Sequence, residues 1–339
     1  MQKEEIYLRK VIVHIMDNNV GMAVLSDKET EIHEELSEFI REHLEKLSSG
    51  DDLKECEFMR EESEVFGLLS EYTDEKFIPA TKEMANILYD IMVSNVDIPS
   101  ADLFFVRFKC REKEYLSLLK MDYKEYYTHR TMSNEGENSN EIIKYKSILP
   151  GKSSRVSEGA IIDLDTMHVR LTEKKYEVNG EKENYFSYLF LKCSAKMSPK
   201  SKLSIVTKAI ENVQKEILEE DRQYEAHMEA KNIISEVLNE KGSFTVEEIK
   251  EKVFENHPEM VAPFEEKMEK YNLVREEVKP RAETTLRKFD KQCLITDTGI
   301  ELKIPMDQYK DPKSVEFITN EDGTVSVMIK NIGHLTAKF

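Results

Sequence analysis

The segments ADLFFVRF (101–108) and YLSLLKM (115–121) decide the fold of this chain. They are two β-rich runs separated by a short stretch that includes the polar residues 111–114. Short runs of aromatic and β-branched residues on either side of a polar turn are typical of paired antiparallel strands. We therefore predict an antiparallel pair at this point, and further strands around it.

Strand signals continue along the chain. AIIDLD (160–165), MHVRL (167–171) and KKYEV (174–178) are again short and β-rich. The last run is followed by Asn179 and Gly180, a favoured two-residue hairpin turn, which predicts that YFSYLFLKC (185–193) is also a strand. By contrast, MSNEGENSNE (132–141) has no apolar period and many turn formers, which predicts a surface loop.

The N-terminal hundred residues predict a hairpin and two helices. Ile6–Ile15 and Val20–Leu25 are β-rich runs on either side of a polar turn, as in paired strands. Ser26 and Glu29 form a capping box before an apolar stripe at spacings of three and four, which predicts a helix. Another helix is predicted to start near Pro79.

The C-terminal part predicts helices followed by strands. Apolar residues at helical spacing predict one long helix from the region of Leu203 toward Leu238. Thr245 is the predicted cap of a second helix and Pro258 the first residue of a third. Strands are predicted at 292–296 and 300–305, and a hairpin turns at Asp322 and Gly323.

These elements predict an α+β protein with two domains. Residues 1–205 would hold a mixed or antiparallel sheet with helices, and residues 206–339 a helical subdomain with a small antiparallel sheet. At 339 residues and 40% hydrophobic, the chain is long enough to bury a sizeable core. No segment reaches 18 consecutive apolar residues, so we expect a cytoplasmic protein without a membrane partner.

Charge is distributed very unevenly. The net charge is -18, but residues 27–64 hold 15 Asp or Glu against 5 Lys or Arg, and residues 211–277 hold 19 against 9. Everything outside these two acidic windows sums to +2. Residues 184–210 contain five lysines and no acidic residue. Salt screening limits the range of interactions between exposed charges to about 10 Å, so the local charge matters more than the net charge. A polyanion would therefore bind at such a local positive region.

Two basic clusters are the candidate site for binding a polyanion. Lysines at the start of a helix gain nothing from the helix dipole, so intramolecular stabilisation explains them poorly. The first cluster lies in the acid-free segment, and the second precedes the C-terminal strands. Their members are Lys192, Lys196, Lys200, Lys202 and Lys208, and then Lys279, Arg281, Arg287, Lys288 and Lys291.

Catalytic patterns are few. Asp297-Thr298-Gly299 has the sequence of an aspartic-protease turn, but it occurs once and few residues follow it, so we interpret it as a turn between strands. Asp163 and Asp165 lie at alternate positions of a predicted strand and would hold Mg²⁺ only with a third carboxylate. The four cysteines are far apart in the sequence, which suggests neither a disulfide framework nor a zinc site. No cofactor motif is found, and we predict no cofactor.

Several blocks, in order, resemble the bacterial 37-kDa nucleoid-associated protein family. They are DLFFVRF, YLSLLKMDY, EGAIIDLD, VRLTEKKY, YFSYLFLKCSAKMSPKSK, TDTGIELKIP and VEFITNEDGTVSVMIKNI. The likeness extends from about Ile6 to Ile332 and includes no catalytic fingerprint. It implies a cytoplasmic, DNA-binding protein of the bacterial nucleoid with no enzymatic activity.

The sequence therefore predicts a non-enzymatic protein that binds double-stranded DNA through phosphates, without base readout. Two other functions stay open. One is an acidic adaptor that binds basic or DNA-associated proteins. The other is a metal-dependent nuclease built on Asp163 and Asp165. A helix-turn-helix formed by the three successive predicted helices is a further alternative, although the second and third are rich in Glu. A homodimer would raise the affinity of a modest basic track through effective concentration.

Overall fold

The computed structural model describes residues 1–18, 20–134, 137–178, 180–320 and 323–336, without the side chains of Asn134 and Asp221. The chain divides into two compact units, Met1–Ser198 and Pro199–Phe339. Each unit has hydrophobic clusters of its own. The large antiparallel sheet, the helices and the small hairpins confirm the predicted α+β class.

Unit 1 (Met1–Ser198) is built around one antiparallel sheet. Its strands are β1 (Ile6–Met16), β2 (Lys54–Phe58), β3 (Ala101–Cys110), β4 (Lys113–Asp122), β5 (Lys124–Asn134), β6 (Glu137–Ile148), β7 (Glu158–Asp163), β8 (Val169–Thr172), β9 (Tyr176–Val178), β10 (Glu181–Glu183) and β11 (Cys193–Ala195). Its helices are α1 (Glu34–Ser49), α2 (Glu64–Ser70) and α3 (Phe77–Ser94), with a π-helix at Phe186–Leu191 and 3₁₀ turns at Lys3–Glu5 and Asp74–Lys76.

The sheet of unit 1 is covered on both faces. Seven strands pair in the order β1-β3-β4-β7-β8-β2-β11. Because successive side chains of a strand point to opposite faces, Leu103 and Phe105 of β3 join the cluster under α3 and the π-helix. Phe104 and Val106 join the cluster under α1. The result is three layers, with α1 on one face and the other helices on the opposite face.

A buried ion pair lies within this sheet. The Lys120 ammonium on β4 is 2.8 Å from the Glu158 carboxylate on β7 and 2.5 Å from that of Asp122. Tyr185 donates its hydroxyl to the same Glu158 oxygen at 2.9 Å. Lys120 and Glu158 are fully buried, and burial raises the pKa of the Glu158 carboxyl. The sequence analysis did not single out either residue.

Unit 2 (Pro199–Phe339) has a helical core and small hairpins. Its helices are α4 (Pro199–Ile217), α5 (Glu220–Lys241), α6 (Val246–Val253), α7 (Val261–Lys270), α8 (Glu283–Leu286) and α9 (Met306–Tyr309), with 3₁₀ turns at Pro258–Met260 and Arg287–Phe289. Its strands are β12 (Phe244–Thr245), β13 (Glu277–Val278), β14 (Lys291–Ile295), β15 (Glu301–Pro305), β16 (Val315–Thr319) and β17 (Val325–Ile329). Strands β12–β13, β14–β15 and β16–β17 pair in sequence order.

Many predicted elements are confirmed. β3 pairs with β4, and the runs from 160 to 178 form β7, β8 and β9. The predicted cap Thr245 accepts a hydrogen bond from the Glu248 amide at the start of α6. β14–β15 and β16–β17 are the predicted C-terminal hairpins. The turn residues Asn179 and Asp322 lie outside the described residues.

The first predicted hairpin and first predicted helix start are wrong. β1 pairs with β3, and only an isolated bridge joins Ile15 to Val24. Ser26 does not cap a helix, because its hydroxyl donates to the Val13 carbonyl at 2.5 Å. α1 begins eight residues later, and its cap is the His33 ring, which accepts from the Leu36 amide at 3.3 Å.

Three further predictions are wrong. YFSYLFLKC is largely the π-helix, since its aromatic residues Tyr185, Phe186 and Phe190 are buried against α2 and α3. The single long helix is two helices, which break at Leu218 and Glu219. Of the predicted loop 132–141, the described residues 132–134 and 137–141 belong to β5 and β6, which pair through ten residue positions.

Candidate nucleic-acid interface

In unit 1 the acid-free segment, residues 184–210, contains the π-helix, and Lys192 follows that helix directly. This residue ends the π-helix in the left-handed conformation, with φ 45°, and its carbonyl accepts from the Met59 amide at 2.9 Å. Its side chain is half-buried. Lys196 follows the edge strand β11, where its amide donates to the Glu55 carbonyl at 2.9 Å while its side chain is exposed. The backbone of both lysines is therefore fixed.

In unit 2 the segment continues as the first turns of α4. Lys200 and Lys208 are exposed. Lys202 is 2.6 Å from the Glu276 carboxylate, and its side chain is only 17% exposed. The ion pair between Lys202 and Glu276 must break before the Lys202 ammonium can contact a phosphate. The sequence analysis missed this acidic neighbour because Glu276 is 74 residues further along the chain.

The second basic cluster is also partly paired. Arg287 forms an ion pair with Glu283 one turn earlier. Lys279, Lys288 and Lys291 are exposed. Arg281 is exposed and has an interaction within the described chain.

Lys231 of α5 is a cation that the sequence analysis missed. Its ammonium donates to the Lys291 carbonyl at 2.6 Å. Burial lowers the pKa of its amine. In the sequence it lies inside an acidic window, so only its contact with Lys291 associates it with the basic cluster.

Six of the ten candidates have free ammonium groups. Among the residues that the structure describes, their side chains are exposed and make no ion pair. They are Lys196, Lys200, Lys208, Lys279, Lys288 and Lys291. An exposed ammonium on a flexible stem is a point charge that can meet a phosphate without losing an existing partner.

Within unit 2 the two clusters approach each other at one place. Lys202 also donates to the Glu277 carbonyl at 3.4 Å, which puts the start of α4 beside β13. Lys200 and Lys279 each lie two residues from this contact in the sequence. Glu276 and Glu277 belong to the same contact, so this part of unit 2 has mixed charge. Lys208 has an acidic neighbour as well, since Glu211 is one turn further along α4.

Unit 1 has a groove of about 680 Å³ with several cations in its lining. Most of these cations are neutralised. Arg111 is 3.0 Å from Glu5 and Lys113 is 2.9 Å from Asp163. Among the lysine and arginine side chains that line the groove, only Arg170 lacks an ion pair with a described residue. The groove therefore offers an anion little net positive charge, and sequence spacing gave no signal of it.

The carboxylates proposed for metal binding have structural contacts. Asp163 ends β7, where one oxygen accepts from the amides of Asp165 and Thr166 at 3.1 and 3.0 Å. Its other oxygen accepts from Lys113. Asp165 lies in the following turn, so the prediction that both lie on one strand is wrong. Among the described residues, no group of three or more potential ligands could hold a metal ion.

Two other patterns have structural explanations. Asp297-Thr298-Gly299 is the predicted turn, between β14 and β15, and Gly299 has φ +85°. α6 and α7 follow each other between the paired strands β12 and β13. The Lys250–Glu265 ion pair at 2.7 Å joins these two helices. α7 carries three glutamates and two lysines, which is unsuitable for a helix that enters a DNA groove.

Comparisons with known proteins complete this description. In the described part of the chain, no helix has the length and apolar character needed to cross a membrane. No curated protein matches the sequence. The pattern of the NA37 family, which is described as nucleoid-associated protein YejK, matches residues 12–335 and thus extends through both units. With nearly its whole length matched, the chain belongs to this family of nucleoid-associated proteins.

Proposed function

We propose that this chain is a non-enzymatic protein of the bacterial nucleoid, in the cytoplasm, that binds double-stranded DNA through its phosphates. One observation carries the proposal. The acid-free segment presents exposed ammonium groups, Lys196, Lys200 and Lys208, that make no ion pair within the described chain. The family is nucleoid-associated, so DNA is the polyanion that these ammonium groups would contact.

The proposed mechanism is electrostatic and tolerant of sequence. A lysine that neutralises a phosphate releases a condensed counterion, and each such contact adds about 0.9 to the slope of log affinity against log salt. Roughly five contacts give a slope near -4 or -5. The net charge of -18 opposes long-range attraction, so the binding is moderate and sensitive to salt.

The test is duplex binding at several salt concentrations with a charge-reversal variant of α4. Lys200→Glu/Lys208→Glu removes two free ammonium groups, and we expect affinity at least tenfold lower and a salt slope shallower by about 2. Lys28→Glu/Lys270→Glu is the matched control, because both lysines are exposed and unpaired within the described chain and both lie in acidic windows. If both variants lose DNA affinity equally, the loss is due to the change in net charge, and the proposed site on α4 is contradicted.

One observation favours an adaptor as a second candidate. In the window 211–277 many carboxylates are exposed and form no ion pair with a described residue. Examples are Glu219, Glu220, Glu229, Glu240, Glu251 and Glu255. Such a surface complements a basic protein. The adaptor predicts capture of a basic partner by a chain that shows no affinity for duplex DNA even at low salt.

A further inference from the structure

β5 and β6 form a long two-stranded ribbon in unit 1. The strands contain 11 and 12 residues, so the ribbon is roughly 35 Å long at about 3.4 Å per residue. Within the described chain each of these strands pairs only with the other. From Lys124 to Ser133 and from Glu137 to Ser147, every side chain is exposed except the half-buried Ile143. Both outer edges of the ribbon are therefore open.

Exposed apolar side chains lie on both faces of the ribbon. Tyr126 and Tyr145 are opposite each other in the register and share one face. Tyr127 and Ile142 lie on the other face, where they are 73% and 69% exposed. An open strand edge also has unpaired backbone N–H and C=O groups, which can pair with a strand of another chain.

The ribbon's own charges are balanced. Residues 124–148 contain four Lys or Arg and four Asp or Glu, whereas the whole chain has a net charge of -18. Arg130 is 2.7 Å from Glu141, and Lys144 pairs with Glu125 across the strands. A surface built for DNA would hold an excess of free cations. A neutral ribbon is instead where two strongly acidic copies can approach each other without electrostatic repulsion.

The size of the ribbon fits an interface of ordinary dimensions. Stable protein interfaces use about 20–30 residues from each side. The two strands, with 11 and 12 residues, together reach the lower end of that range. Interface cores are enriched in tyrosine, methionine and arginine. The ribbon presents all three types, with Met132 and Arg130 beside its tyrosines.

We propose that the ribbon is a dimerisation arm, and that two copies of this chain associate by packing one ribbon along the other. Isologous contact of this kind uses the same surface of both copies, so one such contact joins an open edge of each ribbon and gives a closed assembly. The proposal is independent of DNA binding, because the surface involved contains none of the candidate phosphate-binding residues.

The experiment is sedimentation of the full chain without DNA at about 150 mM salt, where surface repulsion is screened. We expect wild type to have twice the 39.6 kDa mass of one chain at micromolar concentration. Tyr127→Glu/Ile142→Glu should weaken the dimer at least 100-fold. Both side chains are exposed, so the variant keeps its fold. Val96→Glu/Ile295→Glu changes two other exposed apolar residues by the same charge and should dissociate within twofold of wild type.

Hydrogen exchange provides a second measurement. Amides of β5 and β6 should exchange more slowly in wild type than in the ribbon variant, and the difference should grow with protein concentration. A wild type that stays monomeric at 100 µM overturns the proposal. So does a ribbon variant that dimerises like wild type, or a control that dissociates equally. A monomeric wild type whose ribbon variant loses DNA affinity would make the ribbon a nucleic-acid contact instead.

Discussion

His14 is held neutral by its surroundings in unit 1. Its Nδ1 atom accepts from the Ser26 amide at 3.1 Å, so the proton of the neutral ring is on Nε2, which donates to the Thr81 hydroxyl at 3.2 Å. A second proton on Nδ1 would place two donors against each other. Burial, and to a smaller extent the charge of Lys82, lower the pKa of this imidazole from 6.5 to about 4.

A pH dependence follows from this residue. The folded His14 stays neutral while the unfolded chain takes up the proton, so the free energy of unfolding falls as the pH falls from 6.5 to 4, by about 3 kcal/mol for this group. His14→Gln, which cannot be protonated, should flatten that part of the profile. Hydrogen exchange of unit 1 peptides across this range measures it. An unchanged slope in the variant would contradict the assignment.

At the scale of elements, the Lys120–Glu158 pair joins β4 to β7, and the Tyr185 hydroxyl joins the start of the π-helix to the same carboxylate. Removing one charge of a buried pair leaves the other without compensation, which typically costs about 3–5 kcal/mol. The pair is therefore expected to fix the relation of the π-helix to the sheet more than to add net stability.

Lys120→Met should destabilise unit 1 by about 3–5 kcal/mol. Lys120→Met/Glu158→Gln should cost less, because glutamine removes the buried charge and still accepts from Tyr185. Exchange rates of β4 and π-helix peptides give both free energies and their coupling. If the double variant is as unstable as the sum of the single variants, the two charges do not depend on each other.

The sequence predicted elements well where one local pattern determined them. The β3–β4 pair was predictable because β-rich runs flank a polar turn. Ser26 was misleading because the hydroxyl of a serine before an apolar stripe can either cap the helix or bond elsewhere. Here it donates to the Val13 carbonyl of β1. The π-helix was missed because a run of buried aromatic residues has no period that separates strand from helix.

The candidate site was predictable only in part. Composition identified the free ammonium groups of Lys196 and Lys200. It could not identify the pairing of Lys202 with Glu276, because that contact depends on how α4 packs beside β13. The ribbon was missed for a related reason, since it has no core to bury and therefore no apolar period.

For the whole molecule, the position of the boundary between the units is testable. Contacts divide the chain after Ser198, whereas composition predicts a division after residue 205. Leu203 belongs to the core of unit 2, where it is 5% exposed. A fragment that begins at residue 206 loses this side chain and the first two turns of α4.

We expect the fragments 1–198 and 199–339 each to fold, because each contains its own hydrophobic clusters. The fragment 206–339 should be less stable than 199–339 by at least 2–4 kcal/mol, the usual cost of losing a buried leucine. Urea unfolding followed by circular dichroism compares them. Equal midpoints would favour the later boundary.

The strand order of unit 1 has a consequence for synthesis on the ribosome. β2 is made early, but its neighbours in the sheet, β8 and β11, emerge more than a hundred residues later. At about 5–20 residues per second, the nascent β2 waits on the order of 5–20 seconds before it can pair. During that interval Cys56 and Phe58 are unprotected, so we expect factors that shield emerging chains to act on this strand.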